Sequence, residues 1–303
     1  MNHYFFYKNL TFINIYIIIK TMIKIDVLSN KTYKVYLGKE TIENFFEEAC
    51  ISKEKKKKLK IQTNKQYVFI QDKTSQISEY CFQPIQIVYE DAYCIVVNKP
   101  AFLLVHNDGH SPDTLQARVN AYLKNSQWPF CAQAVHRLDY ETSGLILFCK
   151  MPLLQNYFDE QFRKHSTIKE YAAVIKKIFP YKQLDIKKSI ARDRHQSGKM
   201  RVGKTGKDAF THIEKIQTRN KETLVKATIH TGRKHQIRVH LSSLGFPIRN
   251  DKLYGTKENE DALCLESYHL GFEQPFSKKY IDLYLPLDPR FYPFKTMKSK
   301  ENK

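Results

Sequence analysis

One stretch constrains this chain more than any other: Val135-His136-Arg137-Leu138-Asp139-Tyr140-Glu141-Thr142-Ser143-Gly144-Leu145-Ile146-Leu147-Phe148-Cys149. Its second half, opened by Gly144, is a continuous apolar run too short for a typical helix, and it predicts a buried strand. Its first half is a polar turn. Arg137 and Asp139 stand two residues apart there, and Thr142 and Ser143 can hydrogen-bond the local backbone. A carboxylate on a short loop tied to a core strand has its position fixed by packing, which suits chemistry. On its own the Asp can equally cap the turn and pair with Arg137.

Length and composition bound the partners. The chain has 303 residues, 42% of them hydrophobic, enough for a sizeable core and an accessory module. Lys+Arg 50 against Asp+Glu 31 leaves a net charge of +19, which points to a polyanion, either nucleic acid or an anionic membrane surface. The 6 cysteines are scattered with no C-x-x-C pair, so neither a disulfide framework nor a zinc site is expected and a reducing cytoplasm is the simplest compartment. There is no P-loop and no dinucleotide glycine fingerprint. His106, Asp108 and His110 alternate, yet without further clustered ligands they read as a polar loop. No metal and no cofactor are expected.

The chain divides by pattern. In residues 1–22 an apolar stretch, Phe12 to Ile19, lies between Lys8 and Lys20; it is too short and interrupted for a membrane span and lacks a signal-cleavage pattern. It reads as an extension ahead of a start at Met22, with a membrane anchor as the competing reading. Residues 23–83 read as a small N-terminal module: alternating strands at Lys24 to Leu28 and Lys34 to Leu37, a short helix after Thr41, a basic helix through the Lys55–Lys58 run and a strand from Tyr67. From Pro84, a strand, a turn and the buried strand Cys94 to Lys99 are stopped by Pro100. Asp113 is placed to N-cap a helix carrying Leu115, Val119 and Leu123. A further helix from Pro152 through Phe162 leads to Lys169-Glu170-Tyr171 entering a strand. Residues 181–210 are basic and broken by glycines, a hairpin-rich region presenting positive charge. In Thr231-Gly232-Arg233-Lys234-His235-Gln236-Ile237-Arg238, a helix emerges from a glycine turn and ends before Gly245 and Pro247.

Taken together these segments resemble the RluA-type pseudouridine synthases. His-Arg-Leu-Asp-x-x-Thr-Ser-Gly-Leu matches that family's signature position by position. Lys-x-Tyr at Lys169–Tyr171 and the segment from Thr231 to Leu241 resemble its other two motifs, and Val96-Val97-Asn98-Lys99-Pro100 resembles its opening. The resemblance covers residues 84–290, the expected catalytic domain, with 291–303 as a flexible tail. The chain departs from the pattern at several positions: Phe102 and Asn250 stand where the family has glycine, Lys234 where it has Thr, and Glu266-Ser267 where it has His-Ala. Residues 23–83 loosely resemble the S4 RNA-binding module.

The resemblance implies an α+β fold, a mixed and mostly antiparallel sheet flanked by helices around a central cleft, with the small module in front. It implies isomerisation of uridine to pseudouridine in structured RNA, ribosomal or transfer, without a cofactor. Asp139 would be the catalytic carboxylate, with Tyr171 beside the uracil and Arg238 orienting the Asp. Arg137, Arg233, His235 and Lys99 would contact RNA. A nearby Arg should favour ionised Asp139 further. A cytoplasmic monomer acting on RNA, not on a membrane, is expected. The competing reading is an RNA-binding or ribosome-assembly factor that keeps the fold with little catalysis.

Overall fold

The computed structural model describes residues 23–28, 31–64, 67–72, 79–255 and 262–294. The expectations for residues 1–22 and for 295–303 lie outside them.

The first unit runs β1 (Lys24–Leu28), β2 (Thr32–Tyr36), α1 (Ile42–Glu48), α2 (Lys53–Lys57), β3 (Leu59–Thr63) and β4 (Val68–Asp72). Its four strands form an antiparallel sheet in the order β1-β2-β4-β3. Thr41 caps α1 by accepting from the backbone N–H of Asn44, and Ser52 caps α2 through that of Lys55. The helix through the lysine run ends at Lys57, and the chain turns at once into β3, a strand the charge pattern hid.

The second unit begins with β5 (Gln86–Glu90) and β6 (Cys94–Lys99), followed by α3 (Leu115–Asn125), β7 (Gln133–Ala134), β8 (Ser143–Cys149) and α4 (Gln155–Arg163). Next come β9 (Ile168–Ile175), β10 (Gln183–Lys187), the β11 (Ile190–Arg192) and β12 (Met200–Val202) hairpin, β13 (Phe210–Arg219) and β14 (Glu222–Ile229). The chain closes through α5 (Gln236–Ser243), β15 (Leu265–Glu273) and β16 (Tyr280–Tyr284). One large sheet runs β10-β13-β14-β9-β15-β8-β6-β5, with β7 and β16 paired on its flanks. Every pairing in it is antiparallel except β15 with β8. That parallel junction spans two residue pairs, Ser143 with Glu266 and Gly144 with Ser267. Two antiparallel halves therefore meet where the Asp139 loop enters β8. As the apolar run predicts, β8 is buried along its whole length.

The first unit shares its interior with the second. Tyr33 stacks on Phe130 with ring centroids 4.8 Å apart, and Phe45 stacks on Phe276 at 5.6 Å. Past the expected end of the catalytic domain, Phe291 and Phe294 are also buried in the common core. One helix differs locally from expectation. Thr114, not Asp113, caps α3, because the Asp113 carboxylate is taken by a two-bond pairing with Arg118 at 2.7 Å each. Asp108 accepts the N–H groups of His110 and Ser111, a local turn, and among the described residues no three potential ligands cluster to hold a metal. Among the same residues no helix is long and apolar enough to cross a membrane.

Candidate active site

The loop before β8 is pinned on both sides of Asp139. Upstream, the His136 ring lies on Phe162 at 4.7 Å, and its Nε2 accepts the backbone N–H of Leu147. Burial pulls that imidazole down to about 3, so it stays neutral and acts as a strut. Downstream, the carbonyl of Tyr140 accepts from the N–H of Phe102 at 2.8 Å and from the Lys99 ammonium at 3.2 Å. Gly144 follows with φ +117, and a Cβ there would stand 2.2 Å from the carbonyl oxygen of Ser267. Only glycine permits the two backbones to approach so closely at the parallel junction.

Arg238 arrives from the other side on α5. That helix is fastened to β13 by buried polar side chains: Gln236 donates to the carbonyl of Phe210 at 2.9 Å, and His240 pairs with the Thr211 hydroxyl at 2.9 Å. His235, left-handed at φ 55, precedes the helix. Tyr171 comes from β9, where its side chain shares a strand face with Lys169.

These elements enclose a cleft of ≈ 510 Å³ whose lining includes Asp139, Tyr171, Arg238, Arg137, Arg233 and His235. Six of the seven residues singled out in the sequence are thus brought together. The Asp139 side chain is 25% exposed, with its Oδ2 3.8 Å from Nη1 of Arg238 and its Oδ1 3.9 Å from Nε2 of His235. Both contacts are longer than a hydrogen bond. Burial pushes the Asp139 carboxyl up, and this outweighs the Arg238 charge that pulls it down; Glu141 pushes it up further. The expected net lowering by the neighbouring Arg is therefore corrected: desolvation wins.

Arg238 is wholly buried and makes its short bonds elsewhere. Nε and Nη2 donate to the two oxygens of Asp251 at 2.9 Å each, and Nη1 donates to Glu141 at 3.3 Å. Asp251 and Glu141 are the residues that the sequence reading passed over. Asp251 lies 13 positions beyond Arg238, and its Oδ1 also accepts the N–H groups of Leu253 and Tyr254. The adjacent Asn250, with φ 64, was the available signal that the chain turns sharply there.

Burial pulls His235 down to about 4, helped by the charges of Arg238 and Lys234, so its ring is neutral; its Nδ1 pairs with the Tyr254 hydroxyl at 2.8 Å. Burial pushes the Tyr171 phenol well above its ordinary range, and the Asp139 charge adds to the effect. Tyr171 therefore keeps its proton at neutral pH.

Lys99 is the exception. It is 0% exposed, and its ammonium donates to the carbonyls of Pro100, Leu103 and Tyr140. The expected RNA contact is corrected: the ammonium is turned into the protein, where it ties the turn after β6 to the Asp139 loop. Burial lowers its pKa to about 7.

The family model described as RNA pseudouridylate synthase matches residues 93–243. The chain is 32% identical over 209 residues to the RNA pseudouridine synthase YlyB of Bacillus subtilis, covering 67% of this chain and 69% of that protein. It is 31% identical over 289 residues to ribosomal large subunit pseudouridine synthase C of Buchnera aphidicola, covering 88% and 81%. It is 34% identical over 215 residues to the dual-specificity RNA pseudouridine synthase RluA of Vibrio cholerae, covering 69% and 84%. The solved structure of human RNA pseudouridylate synthase domain containing 1 shares the fold, with a TM-score of 0.60 at 22% identity over 74% of this chain and 94% of that one.

Proposed function

The chain belongs to the RluA-type RNA pseudouridine synthases, and from that premise we propose that Asp139 carries the reaction. The enzyme is an isomerase that turns uridine in RNA into pseudouridine. The C1′–N1 bond breaks, the uracil turns, and a C1′–C5 bond forms; the hydrogen on C5 is given up and N1 gains one, so the atoms balance without a redox partner.

One observation carries the assignment. The Asp139 carboxylate stands open to the cleft, with its two nearest cationic or imidazole neighbours at 3.8 and 3.9 Å and no short hydrogen bond among the described residues to quench it. An oxygen left free in this way can act as nucleophile or base at the sugar–base unit. Burial makes it more basic than a solvated carboxylate. Arg238, itself held by Asp251, supplies a fixed positive charge beside it. Tyr171, protonated, forms the wall against which the uracil lies. Arg137, exposed at the mouth, occupies the space vacated by a uridine that has left its helix, a displacement that costs a few kcal/mol.

We place the substrate among structured ribosomal or transfer RNAs. The names of the Buchnera and Vibrio relatives and the net charge of +19 support that class. The enzyme works as a cytoplasmic monomer in this reading, since all the residues argued for the reaction line one cleft of one chain. Residues 23–83 serve as its accessory module and 84–290 as its catalytic domain.

The test uses Asp139→Asn and Asp139→Ala. Both should abolish pseudouridine formation on RNA taken from cells lacking the gene, while RNA affinity stays within about tenfold, because the change alters chemistry and not the phosphate contacts. Turnover at the wild-type rate in either variant rejects the assignment.

A further inference from the structure

The cleft holds one buried charge that neither the fold nor Asp139 accounts for. Lys169 is 6% exposed and sits on β9 two residues before Tyr171, facing the same cleft. Among the described residues no carboxylate or carbonyl lies within bonding distance of its ammonium; its contact is the face of Phe162, 5.4 Å from the ring centroid. Other buried lysines are satisfied. Lys99 has three carbonyls, and Lys150 has the carboxylate of Glu90 and the carbonyl of Asp91. The neighbouring Glu170 offers Lys169 nothing, because its carboxylate is bound to Tyr268 and His269.

The surroundings add positive charge. His165 and Arg233 line the same end of the cleft, and the His165 ring is held below its ordinary pKa by burial and then by the charges of Lys169, Arg233 and His230. Arg233 is steadied by a bond from its Nε to the carbonyl of Asp208 at 2.9 Å. Burial alone holds Lys169 down to about 8. An ammonium kept out of water without a counterion is destabilising, and an arriving anion relieves that cost. Two residues of strand separate Lys169 from Tyr171, roughly 7 Å, comparable with the reach from a base to its own backbone.

We propose that Lys169, with His165 and Arg233 beside it, forms a subsite for the RNA phosphate that flanks the uridine held between Asp139 and Tyr171. The proposal deepens the reading of the cleft as a uridine site and rests on it. Lys169 is a binding residue here; it takes no part in making or breaking bonds.

The experiment measures binding, not turnover, with the full chain and the single-stranded RNA AAUAA. Two further oligomers carry a neutral methylphosphonate in place of the phosphate on the 5′ or the 3′ side of the uridine. The wild-type protein should bind one of these about tenfold more weakly than the native oligomer, the loss expected for one charge-assisted contact. Lys169→Met should bind the native oligomer about tenfold more weakly and should no longer discriminate against that methylphosphonate. It should also melt at or above the wild-type temperature, because an unpaired buried charge has been removed while the stem is kept. Three results overturn the proposal: a wild-type protein that ignores both replacements or binds none of the oligomers, a variant that keeps the discrimination, or a variant whose melting temperature falls by about 5 °C or more, which marks the ammonium as structural. Loss or retention of turnover in Asp139→Asn bears on the chemistry alone, so the two readings fail separately.

Discussion

Arg238 and Asp251 face each other through two parallel hydrogen bonds of 2.9 Å, and both side chains are sealed from solvent. The guanidinium that lies beside the Asp139 carboxylate is thus oriented by a different acid, which leaves Asp139 unencumbered at 3.8 Å. Had the short bonds gone to Asp139, its charge would be neutralised before a substrate arrived.

Asp251→Ala should therefore destabilise the protein by about 3–5 kcal/mol, since it strands a buried guanidinium. It also frees the N–H groups of Leu253 and Tyr254. Turnover should fall with it, because the released Arg238 can collapse onto Asp139. Urea unfolding and initial rates on the same preparation check both; a variant with wild-type stability contradicts the pairing.

Lys99→Met should cost roughly 2–3 kcal/mol, as carbonyls that now share one ammonium lose their donor. The salt dependence of RNA affinity should not change, because no phosphate contact is removed. A shallower slope of log affinity against log salt would show that this lysine reaches RNA after all.

Stability should fall on mild acidification. Burial keeps His136 and His235 neutral in the folded protein, at about 3 and about 4, against an ordinary value of 6.5. As the pH drops through 6.5 the unfolded chain takes up protons on these rings and the folded chain does not, so stability is full above about 6.5 and is lost as the pH falls towards 4. Urea midpoints measured through that window should decline, and His136→Gln should flatten part of the decline. A midpoint that holds constant down to about 4 would refute the two buried neutral rings.

Much of this was legible in the chain alone. The apolar run after Gly144 declared a buried strand, and β8 is buried throughout. Phe102 and Asn250, at positions that resemble glycine sites, do adopt left-handed backbones, with φ 62 and φ 64. What stayed hidden depends on burial and on distant pairing. A lysine in Asn-Lys-Pro reads as a phosphate ligand until the fold closes over it. Asp251 reads as a loop acid until α5 brings Arg238 against it. The strand β3 was masked because consecutive lysines resemble a longer solvated helix, yet α2 stops at Lys57 and the chain is extended from Leu59. Linear order also could not say that desolvation would outweigh a neighbouring cation at Asp139.

Tyr33 of β2 lying flat on Phe130, and Phe45 of α1 on Phe276, make the small leading unit a lining of the larger one and not an appendage to it. A lineage that discarded this unit would leave a wet, greasy scar on what remained. Shuffling such a module between enzymes therefore requires repainting two surfaces together, and its evolutionary fate is tied to residues that never meet RNA.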